Sequence, residues 1–170
     1  MRGSGHPVIA VGLGLLLGLA STAVLGMESS DLARSENTQP VLTLVDDGEA
    51  RELSLRDIER LDLYAAELEH FEGLTGVFTG VRLGAFIREF GLDDARRLRL
   101  IAADHYTVFL EPEKIRERGF LLVTRFNGDP LPRTELGPLL LIVPDEADAV
   151  LAGATHPTEW IWSIVEIRAQ

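Results

Sequence analysis

Leu98-Arg99-Leu100-Ile101-Ala102-Ala103-Asp104-His105-Tyr106-Thr107-Val108-Phe109-Leu110 holds two apolar runs parted by one polar pair. Residues 98–103 and 106–110 each read as a strand, with Asp104-His105 between them. No helix separates the two. Downstream, Pro112 to Arg118 reads as one or two helical turns. Phe120 to Phe126 reads as a strand ended by an Asn127-Gly128 turn, and Leu139 to Val143 as a buried strand. Trp160 to Ile167 reads as the last strand. Upstream, Leu83, Phe86, Ile87 and Phe90 fall on one helical face and Gly91 stops the run. Tyr64 to Phe71 fits a helix or a strand equally.

Nearer the start, Pro40 opens a strand over Val41 to Val45, Asp46-Asp47-Gly48 turns the chain, and Ala50 to Leu53 returns it. Ser54 and Asp57 resemble a capping box ahead of Leu55, Ile58 and Leu61. Strands outnumber helices and do not alternate strictly with them. The expectation is an α+β fold with a mixed, mostly antiparallel sheet and short helices, not a doubly wound parallel one.

The chain has 170 residues, a formal net charge of -11 and no cysteine. The acidic field excludes nucleic acid as a partner and disfavours general adhesion to anionic lipid. The missing cysteine excludes thiolate-ligated metal or redox chemistry and any disulfide framework. Arg2 and His6 precede an apolar run from Val8 to Leu25, followed by small residues at Ser21, Thr22 and Ala23. This is the layout of an export signal, with cleavage after Ala23 or Gly26. The competing reading is an uncleaved anchor over residues 8–25, the membrane contact the sequence offers. The expected organisation is a signal or anchor over residues 1–26, a polar linker over 27–39 and one domain over 40–170, in a periplasmic or secreted protein.

Five stretches carry a resemblance. They are Phe78-Thr79-Gly80-Val81-Arg82-Leu83, Ala102-Ala103-Asp104-His105-Tyr106, Phe126-Asn127-Gly128-Asp129-Pro130-Leu131-Pro132, Gly137-Pro138-Leu139-Leu140-Leu141-Ile142-Val143-Pro144, and Trp160-Ile161-Trp162-Ser163-Ile164-Val165-Glu166-Ile167. In order and spacing they resemble the molybdopterin-binding oxidoreductase domain, the sulfite-oxidase-like fold, and more closely its short exported members. The resemblance implies that fold over residues 40–168. It also implies a metal-ligand cysteine upstream of Phe78, near Leu68 to Phe71, where this chain has none. The family's enzymes approach their last strand with a Gly-rich, Lys-containing stretch around the pterin phosphate. Here Asp145, Glu146, Asp148 and Glu159 occupy that stretch with no basic residue. Carboxylates facing a phosphate oppose its binding. The expected cofactor is therefore none, and molybdopterin is the alternative the resemblance leaves.

The candidate ligand-binding residues are Asp104, His105, Tyr106, Arg125, Asn127, Trp160 and Trp162. Asp104-His105-Tyr106 stands at a strand junction where the family usually reads Asp-Gly-Tyr. It reads either as a plain turn or as polar groups at a pocket mouth. Arg125 reads either as a fork for a carboxylate or phosphate, or as the partner of Asp129. Trp160 and Trp162, two apart on an expected strand, share a face that is either core or a stacking platform. His70, His105 and His156 with Glu69, Asp104 and Glu159 match no metal spacing, so they read as surface or loop histidines and no metal site is assigned. No phosphate loop, nucleophile elbow or His-Glu-x-x-His is present, and no catalytic residue is assigned.

The leading functional reading is an exported, non-catalytic module that binds a small molecule or a membrane sensor protein. The alternatives are a pterin oxidoreductase using His70 in place of the thiolate, and a structural adaptor docking on another exported protein.

Overall fold

The computed structural model describes residues 26–170. The apolar run over 8–25 lies outside them, so neither the signal nor the anchor reading touches the described part. The elements are β1 (Glu28–Ser29), β2 (Pro40–Asp46), β3 (Glu49–Ser54), α1 (Leu55–Ile58), β4 (Leu63–Glu69), β5 (Thr75–Arg82), α2 (Leu83–Glu89), β6 (Leu98–Ala102) and β7 (Thr107–Leu110). Then come α3 (Pro112–Glu117), β8 (Leu121–Phe126), β9 (Asp129–Pro130), β10 (Leu140–Ile142), a 3₁₀ turn at Pro144–Glu146, α4 (Ala147–Leu151) and β11 (Ile164–Ala169).

They build two sheets. One runs β1-β4-β5-β8-β10, with β9 on β8, and is antiparallel throughout. The other runs β3-β2-β11-β6-β7, and its single parallel pair is β2 with β11. The fold is thus α+β, with strands dominant and helices short, as the strand count implies. Local chemistry fixes several turns. Asp47 and Gly48 take φ of 47° and 81°, and Asn127 and Gly128 take 50° and 89°, the left-handed pairs that suit two-residue hairpins. Gly91, at φ 74°, ends α2.

The capping box before α1 is present. Asp57 N donates to Ser54 Oγ (3.2 Å), and Ser54 N donates to Asp57 Oδ2 (2.9 Å). The helix is one turn shorter than its apolar spacing implies, since Leu61 lies beyond it. Ser54→Ala is expected to cost about 1 kcal/mol in urea unfolding, the ordinary worth of such a cap.

Tyr64 to Glu69 resolves to strand, with His70 and Phe71 just past its end: β4 pairs along its whole length with β5. β5 itself was not expected from the sequence, because Gly76, Thr79 and Gly80 break its apolar pattern. Gly80 is required there. A Cβ at that position would stand 2.0 Å from the Leu122 carbonyl oxygen, at the bulge where β5 meets β8. One buried cluster joins both sheets. It draws Leu42 and Leu44 from β2, Phe78 and Val81 from β5, Phe86 and Ile87 from α2, Leu98 and Leu100 from β6, and Leu121 to Val123 from β8.

Two expected boundaries need correction. Residues 27–39 are not a free linker. β1 pairs with β4, Ser30 N donates to Leu63 O, and Arg56 N donates to Asn37 O. The last strand begins at Ile164, not Trp160. Only Ile161 bridges, to Leu141, and Ser163 turns the chain at φ 54°. Both tryptophans therefore lie on a loop before the strand.

Candidate functional site

That loop forms the floor of a cleft. Its lining is Phe71, Ala102, Asp104, Tyr106, Pro157, Trp160 and Trp162, around about 230 Å³ of accessible space. Three distant segments meet here. The β4–β5 hairpin brings Phe71, the β6–β7 turn brings Asp104 and Tyr106, and the loop before β11 brings both tryptophans. Two backbone bonds hold the segments in place. Ala103 N donates to Ser163 O (2.9 Å), and Ser163 N donates to Leu136 O (2.9 Å).

Phe71 sits between the tryptophans, with ring centroids 5.9 Å from Trp160 and 5.8 Å from Trp162. Trp160 is buried, Trp162 and Phe71 are half-buried, and Tyr106 is 54% exposed at the mouth. Asp104 Oδ1 accepts from Tyr106 N (2.9 Å), which shapes the turn and leaves the second carboxylate oxygen to the solvent side. His105 takes φ 72°, a conformation glycine holds more easily, and it does not line the cleft.

Under the cleft lies His70, which the sequence reading placed on the surface or in a loop. It is fully buried. Its ring stacks on Phe71 at 4.5 Å and lies 5.4 Å from Trp160 and 6.3 Å from Trp162. Nδ1 accepts from Glu72 N (3.2 Å), so the ring's proton belongs on Nε2. Nε2 and the indole nitrogen of Trp160 are buried with no hydrogen-bond partner among the described residues. Burial pushes the His70 imidazole down to about 4, so the ring is neutral at physiological pH. The alternation of Ala66 and Leu68 on β4, continued to His70 just beyond its end, was the signal that could have placed it inside.

Five of the seven sequence candidates group in this neighbourhood: Asp104, His105, Tyr106, Trp160 and Trp162. Arg125 and Asn127 do not. Arg125 is no free fork, and its ion-pair partner is not Asp129. Its Nε donates to Glu59 Oε1 (2.9 Å) and its terminal nitrogen to Oε2 (2.5 Å). Glu59 is wholly buried and also accepts from Thr124 Oγ1 (2.7 Å) and Ser35 N (2.7 Å). Asn127 Oδ1 accepts from Val77 N (2.9 Å) and serves its hairpin. Phe71 and Pro157 were not among the sequence candidates.

Two carboxylates of the acidic stretch before β11, Glu146 and Glu159, are likewise engaged. Glu159 bonds Lys114 and pairs with Arg118 (3.1 Å), while Arg118 also pairs with Glu146 (2.5 Å). Burial alone would raise the Glu159 carboxyl, but hydrogen bonds from Lys114, Arg118 and Thr158 outweigh it and hold the group down at about 2. These two cations are consumed by carboxylates of the chain itself.

Comparison with known proteins decides the family. The profile described as "Oxidoreductase molybdopterin binding domain" matches residues 22–152, most of the chain. The chain belongs to the molybdopterin-binding oxidoreductase domain family. A solved structure, the sulfane dehydrogenase SoxCD from Paracoccus pantotrophus, is similar in fold, with a TM-score of 0.52 at 13% identity. The match covers 94% of this chain and 56% of that one, so the chain spans little more than half of that chain's length. No curated protein sequence matches. In this member of the molybdopterin-binding family, the position expected for a metal-ligand cysteine, near 68–71, holds the His70-Phe71 pair.

Proposed function

We propose that this protein is an exported, non-catalytic binding module of the molybdopterin-binding domain family, whose aromatic cleft takes a small molecule in place of the pterin cofactor. The observation that carries this reading is the cleft's lining: four aromatic rings and one carboxylate, with no basic residue. A small cavity with an apolar body and few polar groups is the usual form of a small-molecule site.

The residues at the cleft do not fit the family's cofactor. A phosphate-bearing pterin calls for cationic donors, and the one ionic group lining this space is Asp104. Lys114 and Arg118, the two basic residues that pair with the acidic stretch, are held by Glu159 and Glu146. The chain has no thiolate to offer a soft metal. His70 Nε2 is buried without a partner among the described residues, yet it carries the ring's proton and is enclosed by rings, and no group of three metal-ligating side chains gathers among the described residues.

The test is direct. The protein is purified from a host that makes molybdopterin, and metals are measured by mass spectrometry beside released pterin by fluorescence. The expected result is less than about one-tenth of a molybdenum or pterin per chain, with trace loading marking non-specific carry-over. Stoichiometric loading of both would make the chain a cofactor-bearing member and end the binding-module reading. The partner proposed for such a module is a small-molecule ligand, the alternative being an exported or membrane sensor protein.

A further inference from the structure

Resting on that reading of the cleft, we infer that its ligand is a small organic cation, an alkylammonium or quaternary ammonium group held against Phe71, Tyr106 and Trp162 above the buried Trp160 and balanced by the Asp104 carboxylate. Aromatic faces carry negative potential, and a cation within about 6 Å of several ring centres gains from each of them. Phe71 stands 5.9 Å from Trp160 and 5.8 Å from Trp162, a tilted and an edge-on pairing that leaves rings at differing angles around one space. Tyr106 borders the same space.

The charge pattern sets the ligand's sign. Asp104 makes no salt bridge among the described residues, and one of its oxygens is spent on Tyr106 N. No lysine or arginine lines the cleft. Elsewhere in this protein, arginines cover aromatic rings: Arg82 lies 4.3 Å over Tyr64 and Arg97 lies 4.5 Å over Phe109. Among the described residues, the cleft's four rings have no such cover. The net charge of -11 adds a long-range pull of the same sign. The cleft's space of about 230 Å³ is at the small end for a ligand site, in keeping with a compact headgroup.

Trp160 and Trp162 are the two tryptophans of the chain, so fluorescence excited selectively at tryptophan reports on this cleft. The purified protein is titrated with choline, with its neutral isostere 3,3-dimethyl-1-butanol, and with benzoate. Choline is expected to bind at least about tenfold more tightly than the isostere, with benzoate weakest. Asp104→Asn, at an exposed position, is expected to cut that preference about fivefold while circular dichroism stays unchanged. Tyr106→Leu, also exposed, is expected to weaken choline severalfold. Trp162→Leu removes more of the cage, and an unfolded Trp162→Leu protein leaves the two exposed variants to decide.

Equal binding of choline and its isostere would overturn the cation assignment. So would binding of benzoate alone, or binding of none of the three. Benzoate or isostere binding in the cleft would leave the binding-module reading standing, whereas bound molybdopterin would overturn that reading itself.

Discussion

Replacing Glu59 with leucine lowers the unfolding free energy by about 3–5 kcal/mol, because it strands the Arg125 guanidinium without its partner. Glu59 has no exposed surface, and the Arg125 side chain is 11% exposed. The carboxylate also accepts from Thr124 Oγ1 and Ser35 N, so its loss leaves Ser35 N without this acceptor and Thr124 with only the long bond to Thr79 O. The exposed pair Arg60–Glu89, at 2.8 Å, is the internal control: Glu89→Ala changes stability by under about 1 kcal/mol. Urea unfolding of both variants checks this. A Glu59→Leu loss no larger than that of Glu89→Ala would refute the role assigned to the buried network. The double replacement Glu59→Leu with Arg125→Met is expected to recover much of the loss, since removing both charges leaves no uncompensated ion.

Stability falls by about 3 kcal/mol as pH drops from about 6.5 to about 4, through His70 alone. The folded imidazole is pushed by burial from its ordinary 6.5 down to about 4, so the folded protein keeps it neutral across that window. The unfolded chain takes up the proton there and is stabilised by it. The contribution is therefore intact above pH 6.5 and fully lost below pH 4. Glu159 acts lower. Its folded value of about 2 lies below the ordinary 4.5, so its stabilisation holds above 4.5 and is lost toward 2. The interval from 6.5 to 4.5 thus isolates His70. His70→Phe, which keeps a ring in the stack with Phe71 and Trp160, is expected to flatten the pH dependence of urea unfolding in that interval. A slope unchanged by the substitution would assign the effect to other groups.

Much of the fold was legible where a local rule suffices. The Asp46-Asp47-Gly48 and Asn127-Gly128 turns, the Ser54–Asp57 box and the Gly91 stop each follow from residues within a few positions of one another. β5 was not legible, since its Gly80 answers a carbonyl on β8 more than forty residues away. The site divides in the same way. The Asp104–Tyr106 turn was readable because it is local, whereas the sequence left the tryptophan pair open between core and stacking platform, and the structure buries Trp160 and half-buries Trp162. The strand placed beneath those rings was wrong, because the left-handed turn at Ser163 is set by contacts with Leu136 and Ala103.

By itself the sequence determined the α+β class, the absence of any thiolate and the sign of the protein's field, each a property of composition or short-range pattern. Only the tertiary structure decided that Arg125 belongs to Glu59 and that His70 is buried. It alone brought Phe71, Asp104, Tyr106, Trp160 and Trp162 into one cleft. The physical reason is range. Turns and caps are settled by neighbours along the chain, whereas ion-pair partners and burial are settled by which distant surfaces the packing of two sheets brings together.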